Sequence, residues 1–86
     1  ILYIEGVKDY VKVVVSSKTK SYLSRISMKA IIKKLPLTDF YRVHKSYIIA
    51  LSALEKIEND RIIIGEKYIP IGKFYKKDFY TFLESI

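Results

Sequence analysis

The stretch Phe40–Ile49, FYRVHKSYII, carries the most information in this 86-residue chain. It places the only histidine of the chain and two cations inside an apolar run. Alternation along the run sends its cations and its apolar residues to different environments, and the long side chains of Arg42 and Lys45 can reach outward toward a polyanion. The stretch therefore indicates binding rather than catalysis.

The composition of the whole chain is basic and apolar. Sixteen Lys and Arg residues stand against nine Asp and Glu residues, which gives a net charge of +7. Such a surface attracts phosphates, so the expected partner is nucleic acid or an anionic membrane. Half of the residues are apolar, which suffices for one core but, at this length, not for two independently folding units. We expect a single domain over residues 1–86.

The chain contains no cysteine, which excludes disulfides, thiolate catalysis and cysteine-ligated zinc. No apolar run approaches the roughly 18 to 20 residues that span a bilayer, and nothing resembles a secretory signal. We therefore expect a soluble, cytoplasmic domain without membrane contact. Because the sequence starts at Ile1, inside a strand-like segment, we expect it to be part of a longer regulator.

The N-terminal part of the chain predicts three strands. Ile1–Glu5 and Tyr10–Ser16 are rich in Tyr, Val and Ile, and residues 6–9 between them supply turn residues and charge. Thr19–Arg25 predicts a third, more polar strand near a sheet edge. Two lysines near its start are placed to protect such an edge against mispairing, namely Lys18 and Lys20.

Residues Ile26–Pro36 give the clearest helical pattern. Ser27 can cap the first free amides, and Pro36 cannot continue the helix. Lys33 and Lys34 then lie in the last turn, where cations suit the helix dipole. The apolar residues at helical spacing are Met28, Ile31, Ile32 and Leu35.

The C-terminal half predicts a three-stranded meander. Its strand candidates are Ala53–Glu58, Arg61–Ile64 and Lys67–Ile71. Asn59-Asp60 suits a type I′ turn, and Gly65-Glu66 suits a type II′ turn with glycine first. Pro70 lacks an amide hydrogen, so we expect its strand at an edge or its position at a bulge.

A closing amphipathic helix is predicted after the meander. Its apolar residues are Tyr75, Phe79, Phe82, Leu83 and Ile86. Lys73, Lys76 and Lys77 crowd its first turns, where the helix dipole disfavours each cation by about 0.3 to 1 kcal/mol. Either an anion outside the chain, such as a phosphate backbone, compensates these charges, or the lysines form a solvated basic face that Asp78 partly stabilises. The predicted fold is mostly β with two short helices.

Other chemistry has little support in the sequence. His44 has no second histidine, no cysteine and no triad-like spacing beside it, so we expect no metal, no cofactor and no enzyme activity. Eight tyrosines and four phenylalanines leave open base stacking on a single strand. Half of these aromatic residues are assigned to the core, namely Tyr3, Tyr22, Phe40, Tyr47, Phe79 and Phe82.

Three blocks of the chain together resemble the LytTR DNA-binding domain. They are Tyr3–Gly6 with Asp9–Val11, then Phe40–Ile49, then Ile69–Lys73. The middle block, an aromatic residue followed by Arg-x-His-x-Ser, is the specific part. The resemblance covers essentially the whole chain and implies an elongated sandwich of antiparallel β-sheets. It also implies a role in bacterial two-component regulation, behind a phosphorylatable receiver or other sensor domain.

The resemblance further implies that loops, rather than a recognition helix, enter successive major grooves of DNA. The residues implied to contact bases are Lys8, Asp9 and Tyr10 in the first loop, Lys45, and Lys73. The residues expected to contact phosphates are Arg42, His44, Ser46, Lys76 and Lys77, with His44 also fixing the local backbone.

The chain departs from the family pattern at three positions. Lys73 stands where the family usually has arginine, and lysine donates as a flexible point charge rather than through a fixed fork. Ala50 stands where asparagine is usual. Gly72 stands where serine is usual, and glycine there is expected to remain an acceptable helix cap.

We expect sequence-specific binding of double-stranded DNA by the output domain of a bacterial transcription regulator, acting as a homodimer on promoter direct repeats. Two alternatives remain open. One is a single-stranded nucleic-acid binder that uses exposed tyrosines, and the other is a basic module that docks on a protein or an anionic membrane.

Overall fold

The computed structural model describes residues 1–15 and 20–86 of the chain. The described residues form eight strands: β1 (Tyr3–Val7), β2 (Tyr10–Val14), β3 (Ser21–Ser24), β4 (Phe40–His44), β5 (Tyr47–Ala50), β6 (Lys56–Glu58), β7 (Arg61–Ile64) and β8 (Lys67–Pro70). They also form two α-helices, α1 (Met28–Ile32) and α2 (Lys76–Glu84), and a short 3-10 helix at Leu51–Ala53. Neither α-helix is long and apolar enough to cross a membrane.

The strands form two antiparallel sheets. The larger sheet has the order β3-β2-β1-β5-β4, and the smaller has the order β6-β7-β8. Because β1 lies in the middle of the larger sheet, it pairs with β2 on one side and with β5 on the other. The predicted class, mostly β with two short helices, is confirmed.

The central strands of the larger sheet are covered on both faces. Its strands send alternate residues to opposite sides, as Ile48 and Ile49 of β5 show by joining different apolar clusters. One cluster lies under α1 and contains Ile4, Val11 and Ile48. The other, which we call the inter-sheet core, joins both sheets to α2 and contains Tyr3, Val14, Val43, Ile49, Ile62, Ile64, Ile69, Ile71 and Phe79.

The first predicted loop is too long by two residues. β1 continues through Gly6 and Val7, which both pair with residues of β2. Only Lys8 and Asp9 form the turn, with Lys8 at a φ of 56°. The ladder hydrogen bonds of the hairpin override the turn preference of glycine.

β3 lies at the edge of the larger sheet, as predicted. All four of its residues are exposed, so the part of the chain that the structure describes places no layer over this strand. Tyr22 is 60% exposed, and its assignment to the core is wrong. Some of the N-terminal predictions fall outside the described residues, namely the strand ends at Ser16 and Thr19 and the protecting charge of Lys18.

α1 begins as predicted but ends early. The Ser27 hydroxyl accepts a hydrogen bond of 3.0 Å from the amide three residues on, which is the expected cap. The helix ends at Ile32, so Lys33 is its C-cap and Lys34 lies beyond it. After the helix, the Lys34 amide donates to the Ile31 carbonyl in a 3-10-type hydrogen bond. The helix does not continue because Pro36 disfavours helical geometry at the residue before it.

The three-stranded meander is confirmed, together with both of its turns. Asn59 and Asp60 have φ values of 51° and 59°, as a type I′ turn requires. Gly65 has a φ of 60° and is the first residue of its turn, as a type II′ turn requires. Pro70 lies in β8, which is an edge strand, as predicted. β6 starts at Lys56 rather than Ala53 because the preceding residues form the 3-10 helix.

α2 starts later than the sequence pattern predicts. Its first residue is Lys76, so Lys73 lies before the helix instead of in its first turn. The N-cap position belongs to Tyr75, and Gly72 is therefore not a helix cap. Ile86, predicted on the apolar face, lies beyond the helix end and is 83% exposed.

Candidate nucleic-acid interface

The stretch Phe40–Ile49 is not a single run but a tight hairpin. β4 and β5 are joined by a two-residue turn at Lys45 and Ser46, and the ladder register shifts between Arg42 and His44. Lys45 lies at the exposed tip of this turn. Sequence reasoning missed the turn because the pair Lys-Ser carries no glycine, asparagine or proline.

Side chains from the end of β4 hold this turn in place. The imidazole Nδ1 of His44 accepts a hydrogen bond of 3.0 Å from the amide of Ser46. Arg42 donates from Nε to the His44 carbonyl (3.3 Å) and from Nη2 to the Lys45 carbonyl (2.7 Å). The Arg42 guanidinium also lies 5.7 Å from the ring centre of Tyr75. Arg42 and His44 therefore fix the backbone that presents Lys45.

The first hairpin turn lies at the same end of the larger sheet. β1 pairs with β5 so that Glu5 faces Tyr47, and the Gly6 amide donates to the Ser46 carbonyl at 2.8 Å. Lys8 and Asp9 lie just past Gly6 and are exposed, and Tyr10, the first residue of β2, is 43% exposed.

A third turn adjoins the β4 end of the sheet. The amide of Gly72 donates to the Val43 carbonyl at 2.7 Å, and the amide of Tyr75 donates back to the Gly72 carbonyl at 2.9 Å. A Cβ atom on residue 72 would lie 3.3 Å from the Cα of His44, so the close approach of two backbones favours glycine here. Lys73 and Phe74 are the two central residues of the turn, and both are exposed.

The structure thus brings together the three regions singled out in the sequence. We call this surface the loop end and define it by the turns at residues 8–9, 45–46 and 72–75. At the ideal spacing of about 4.8 Å between neighbouring strands, β2 and β4, which border the first and third turns, lie about 15 Å apart.

A family model described as the LytTr DNA-binding domain matches residues 1–84 of the chain. The chain belongs to this family. DNA binding is accordingly the function of the LytTr domain.

A solved structure supports the fold of this LytTr domain. It is the LytTr DNA-binding domain of a putative methyl-accepting/DNA response regulator from Bacillus cereus. The similarity covers 96% of this chain and 80% of that chain, with a TM-score of 0.84 and 19% sequence identity. The resemblance inferred from the three sequence blocks is confirmed.

The α2 lysines differ in their surroundings. Lys76 Nζ lies 2.6 Å from Asp60 Oδ2, and the Tyr80 hydroxyl donates to Asp60 Oδ1 at 2.8 Å. The hydrogen bond from Lys76, followed by that from Tyr80, lowers the pKa of the Asp60 carboxyl. The charge of Lys76 is therefore partly compensated inside the domain by Asp60, a residue that neither sequence alternative named. Lys77 is exposed in the first turn of α2.

Arg25 also lies beside the loop end, and sequence reasoning did not select it. Its guanidinium is 5.7 Å from the ring centre of Tyr10. Arg25, Lys8 and Ser27 are among the residues that line an open groove of about 310 Å³ between the first turn and the start of α1. The only available signal was an arginine two residues before a helix cap, which is too common a pattern to be selective.

Within residues 1–15 and 20–86, no cluster of three or more histidine or acidic residues is placed to hold a metal ion. His44 is half-buried, and its Nδ1 is occupied by the Ser46 amide.

Proposed function

We propose that this LytTr domain binds double-stranded DNA sequence-specifically, as the output part of a bacterial transcription regulator, through its loop end. The observation that supports the proposal is the convergence of three turns at one end of the larger sheet. Each turn carries an exposed lysine, namely Lys8, Lys45 and Lys73. A surface of this charge attracts the phosphate backbone, and its projecting side chains can reach base edges.

The residues of the loop end divide into two proposed roles. Those that contact base edges are Lys8, Asp9, Tyr10, Lys45 and Lys73. Those that contact phosphates are Arg42, His44, Ser46, Lys76 and Lys77. Arg42 keeps three of its five N–H donors for such a contact after its two bonds to the turn, and Lys76 contributes least because it shares its charge with Asp60.

The width of the loop end fits a placement across a minor groove. At ideal strand spacing, the strands that border the first and third turns are about 15 Å apart, whereas the minor groove of B-DNA is about 6 Å wide. The outer turns can therefore reach the two major grooves on either side, with the Lys45 turn between them. This is the loop insertion into successive major grooves that we propose.

The decisive experiment compares single lysine variants on two kinds of duplex. One is a site selected by the wild-type domain from a random duplex pool, and the other is random duplex. Lys45→Ala and Lys73→Ala should each weaken binding to the selected site by about 1 to 3 kcal/mol and weaken binding to random duplex less. Titration at constant salt measures both values.

Lys20→Ala is the matched control for this experiment. Lys20 is exposed and directly precedes β3, at the end of the larger sheet opposite to the loop end. Its carbonyl accepts a hydrogen bond from the Val15 amide. Its loss should leave specific binding unchanged. If Lys45→Ala and Lys73→Ala behave like Lys20→Ala, the loop end is not the interface. Equal losses of affinity on both duplexes would indicate that the two lysines contact phosphates and do not contact base edges.

The single-strand alternative has less support from the tyrosines. Tyr10 and Tyr68 are exposed, but each has an arginine guanidinium over its ring, at 5.7 Å for Arg25 and 5.0 Å for Arg61. One face of each of these two rings is thereby occupied, whereas Tyr22 on the edge strand β3 is 60% exposed. Competition of single strands against duplex in a gel-shift assay distinguishes the two functions, and binding to anionic vesicles without duplex binding would indicate the membrane alternative.

We further propose that the domain acts in the cytoplasm, behind a receiver or sensor domain, as a homodimer on direct repeats and without enzyme activity. The similar Bacillus cereus domain is described as part of a putative response regulator, which supports this architecture. Cooperative binding to a duplex with two copies of the selected site, compared with one copy, tests the pairing. Independent binding to the two copies would contradict it.

A further inference from the structure

We propose that Phe74 contacts the C5-methyl group of a thymine in the groove that Lys73 enters, so that the third turn reads a T·A pair next to the base that Lys73 contacts. This inference rests on the proposed function. It adds a specificity-determining residue and a target base to the loop end.

The first observation is the exposure of Phe74, which reaches 90%. Phe79, in the same C-terminal segment, is fully buried in the inter-sheet core. Burial of a phenylalanine side chain is strongly favourable, whereas an exposed one contributes almost nothing to folding. Phe74 therefore has no evident role in the stability of the isolated domain and offers its whole ring to a partner.

The second observation is the place of Phe74 in the third turn. Lys73 and Phe74 are the two central residues between Gly72 and Tyr75, whose hydrogen bond closes the turn. The Tyr75 ring is turned inward against the Arg42 guanidinium. The tip thus presents one cation and one apolar ring side by side at the loop end.

The chemistry of the major groove matches this pair of side chains. Guanine offers two acceptors, N7 and O6, which suit the ammonium group of Lys73. The thymine methyl group is the apolar feature of the base edges in that groove, and phenylalanine is among the side chains that contact it. A lysine and a phenylalanine at one tip therefore favour a guanine beside a thymine.

The other large apolar residues that are more than 65% exposed do not share this setting. Leu23 lies on the edge strand β3, Leu37 lies in the connection between α1 and β4, and Ile86 follows α2. None of the three belongs to a turn of the loop end. Phe74 alone among these large exposed residues stands next to a lysine in one of those turns.

The experiment uses the duplex selected by the wild-type domain, with each thymine replaced singly by deoxyuridine. The replacement removes one methyl group and leaves every hydrogen-bonding group in place. At one thymine position, wild-type binding should weaken about three- to fivefold, which is the value expected for one buried methyl group. Phe74→Ala should bind the thymine and deoxyuridine duplexes equally at that position, and Phe74→Leu should retain part of the difference.

Three outcomes decide the inference. It is overturned if the wild-type domain is insensitive to deoxyuridine at every position, or if Phe74→Ala keeps the full thymine preference. Lys73→Ala separates this failure from that of the proposed function: if Lys73→Ala loses specific binding while Phe74→Ala does not, only the role of Phe74 is wrong. The urea midpoint of Phe74→Ala should match that of the wild type, because the exposed ring has no packing to lose.

Discussion

At the scale of single residues, the cation most clearly tied to structure is Arg42. Its guanidinium donates to the carbonyls of His44 and Lys45 and lies over the ring of Tyr75. A planar group with donors in a fixed fork suits two carbonyls at once, whereas the ammonium of lysine is a point charge on a flexible stem. Arg42 thus orders the second turn of the loop end whether or not it also contacts a phosphate.

Arg42→Lys tests this role because it keeps the positive charge and removes the planar guanidinium that donates to both carbonyls. The unfolding free energy should fall by about 1 kcal/mol, the usual net contribution of a lost hydrogen bond. Affinity for the selected duplex should also fall, since the Lys45 turn is less ordered. Urea unfolding and duplex titration measure the two effects.

Lys45→Ala is the control for Arg42→Lys. It should weaken DNA binding while changing the unfolding free energy by less than about 0.5 kcal/mol, as is usual for an exposed surface residue. An Arg42→Lys variant with wild-type stability and wild-type DNA affinity would show that the guanidinium hydrogen bonds do not order the Lys45 turn.

At the scale of secondary-structure elements, the β6–β7 turn and α2 are joined through Asp60. The carboxylate accepts from Lys76 and Tyr80 of α2, and the Asp60 backbone carbonyl accepts from the Ile71 amide. These bonds tie the start of α2, and with it the third turn of the loop end, to the smaller sheet. The sequence predicted the turn but gave no sign of this connection.

Asp60→Asn isolates the charge in this connection. Asparagine tolerates the positive φ of the turn, so the backbone should be retained while the ion pair with Lys76 is lost. The variant should be less stable than the wild type near neutral pH, as measured by the urea midpoint.

The effect of Asp60→Asn should depend on pH in a defined direction. Hydrogen bonds from Lys76 and Tyr80 hold the pKa of Asp60 below its ordinary value of 3.8. The stabilisation by the carboxylate is therefore complete above that ordinary value and is lost as the pH falls through the lower folded-state value. The difference in urea midpoint between the wild type and Asp60→Asn should shrink as the pH is lowered below about 4. A difference that stays constant with pH would exclude the ion pair as its source.

At the scale of the whole molecule, the larger sheet couples two apolar layers. β5 contributes Ile48 to the cluster under α1 and Ile49 to the inter-sheet core. Phe79 of α2 reaches the same core and lies 5.1 Å, between ring centres, from Tyr41 of β4. Because one sheet supports both layers, we expect the domain to unfold in a single cooperative transition.

Phe79→Ala and Phe74→Ala form a matched pair that tests this coupling. Phe79→Ala should lower the unfolding free energy by about 3 to 5 kcal/mol, the usual cost of removing a buried phenylalanine. Phe74→Ala should change it by less than about 0.5 kcal/mol. Urea unfolding followed by both circular dichroism and tyrosine fluorescence measures the two values. Separate transitions for the two signals, or equal stabilities for the two variants, would contradict the packing described.

Much of the local structure followed from the sequence, because local rules fix it. Asn59, Asp60 and Gly65 suit positive φ angles, and the two expected turns formed at Asn59-Asp60 and Gly65-Glu66. The hydroxyl of Ser27 satisfies a free helix amide, and the cap formed as expected. The three sequence blocks, with the Arg-x-His-x-Ser motif as their specific part, also indicated the family.

The tertiary structure decided what depends on distant partners. The Lys45–Ser46 turn contains no glycine, asparagine or proline and is held by the side chains of Arg42 and His44. Tyr22 is exposed because none of the described elements covers β3, and Lys76 is paired because the β6–β7 turn places Asp60 against α2. Residue patterns determine backbone angles over a few positions, whereas the meeting of Lys8, Lys45 and Lys73 at one end of the sheet required strand pairing and burial across the whole chain.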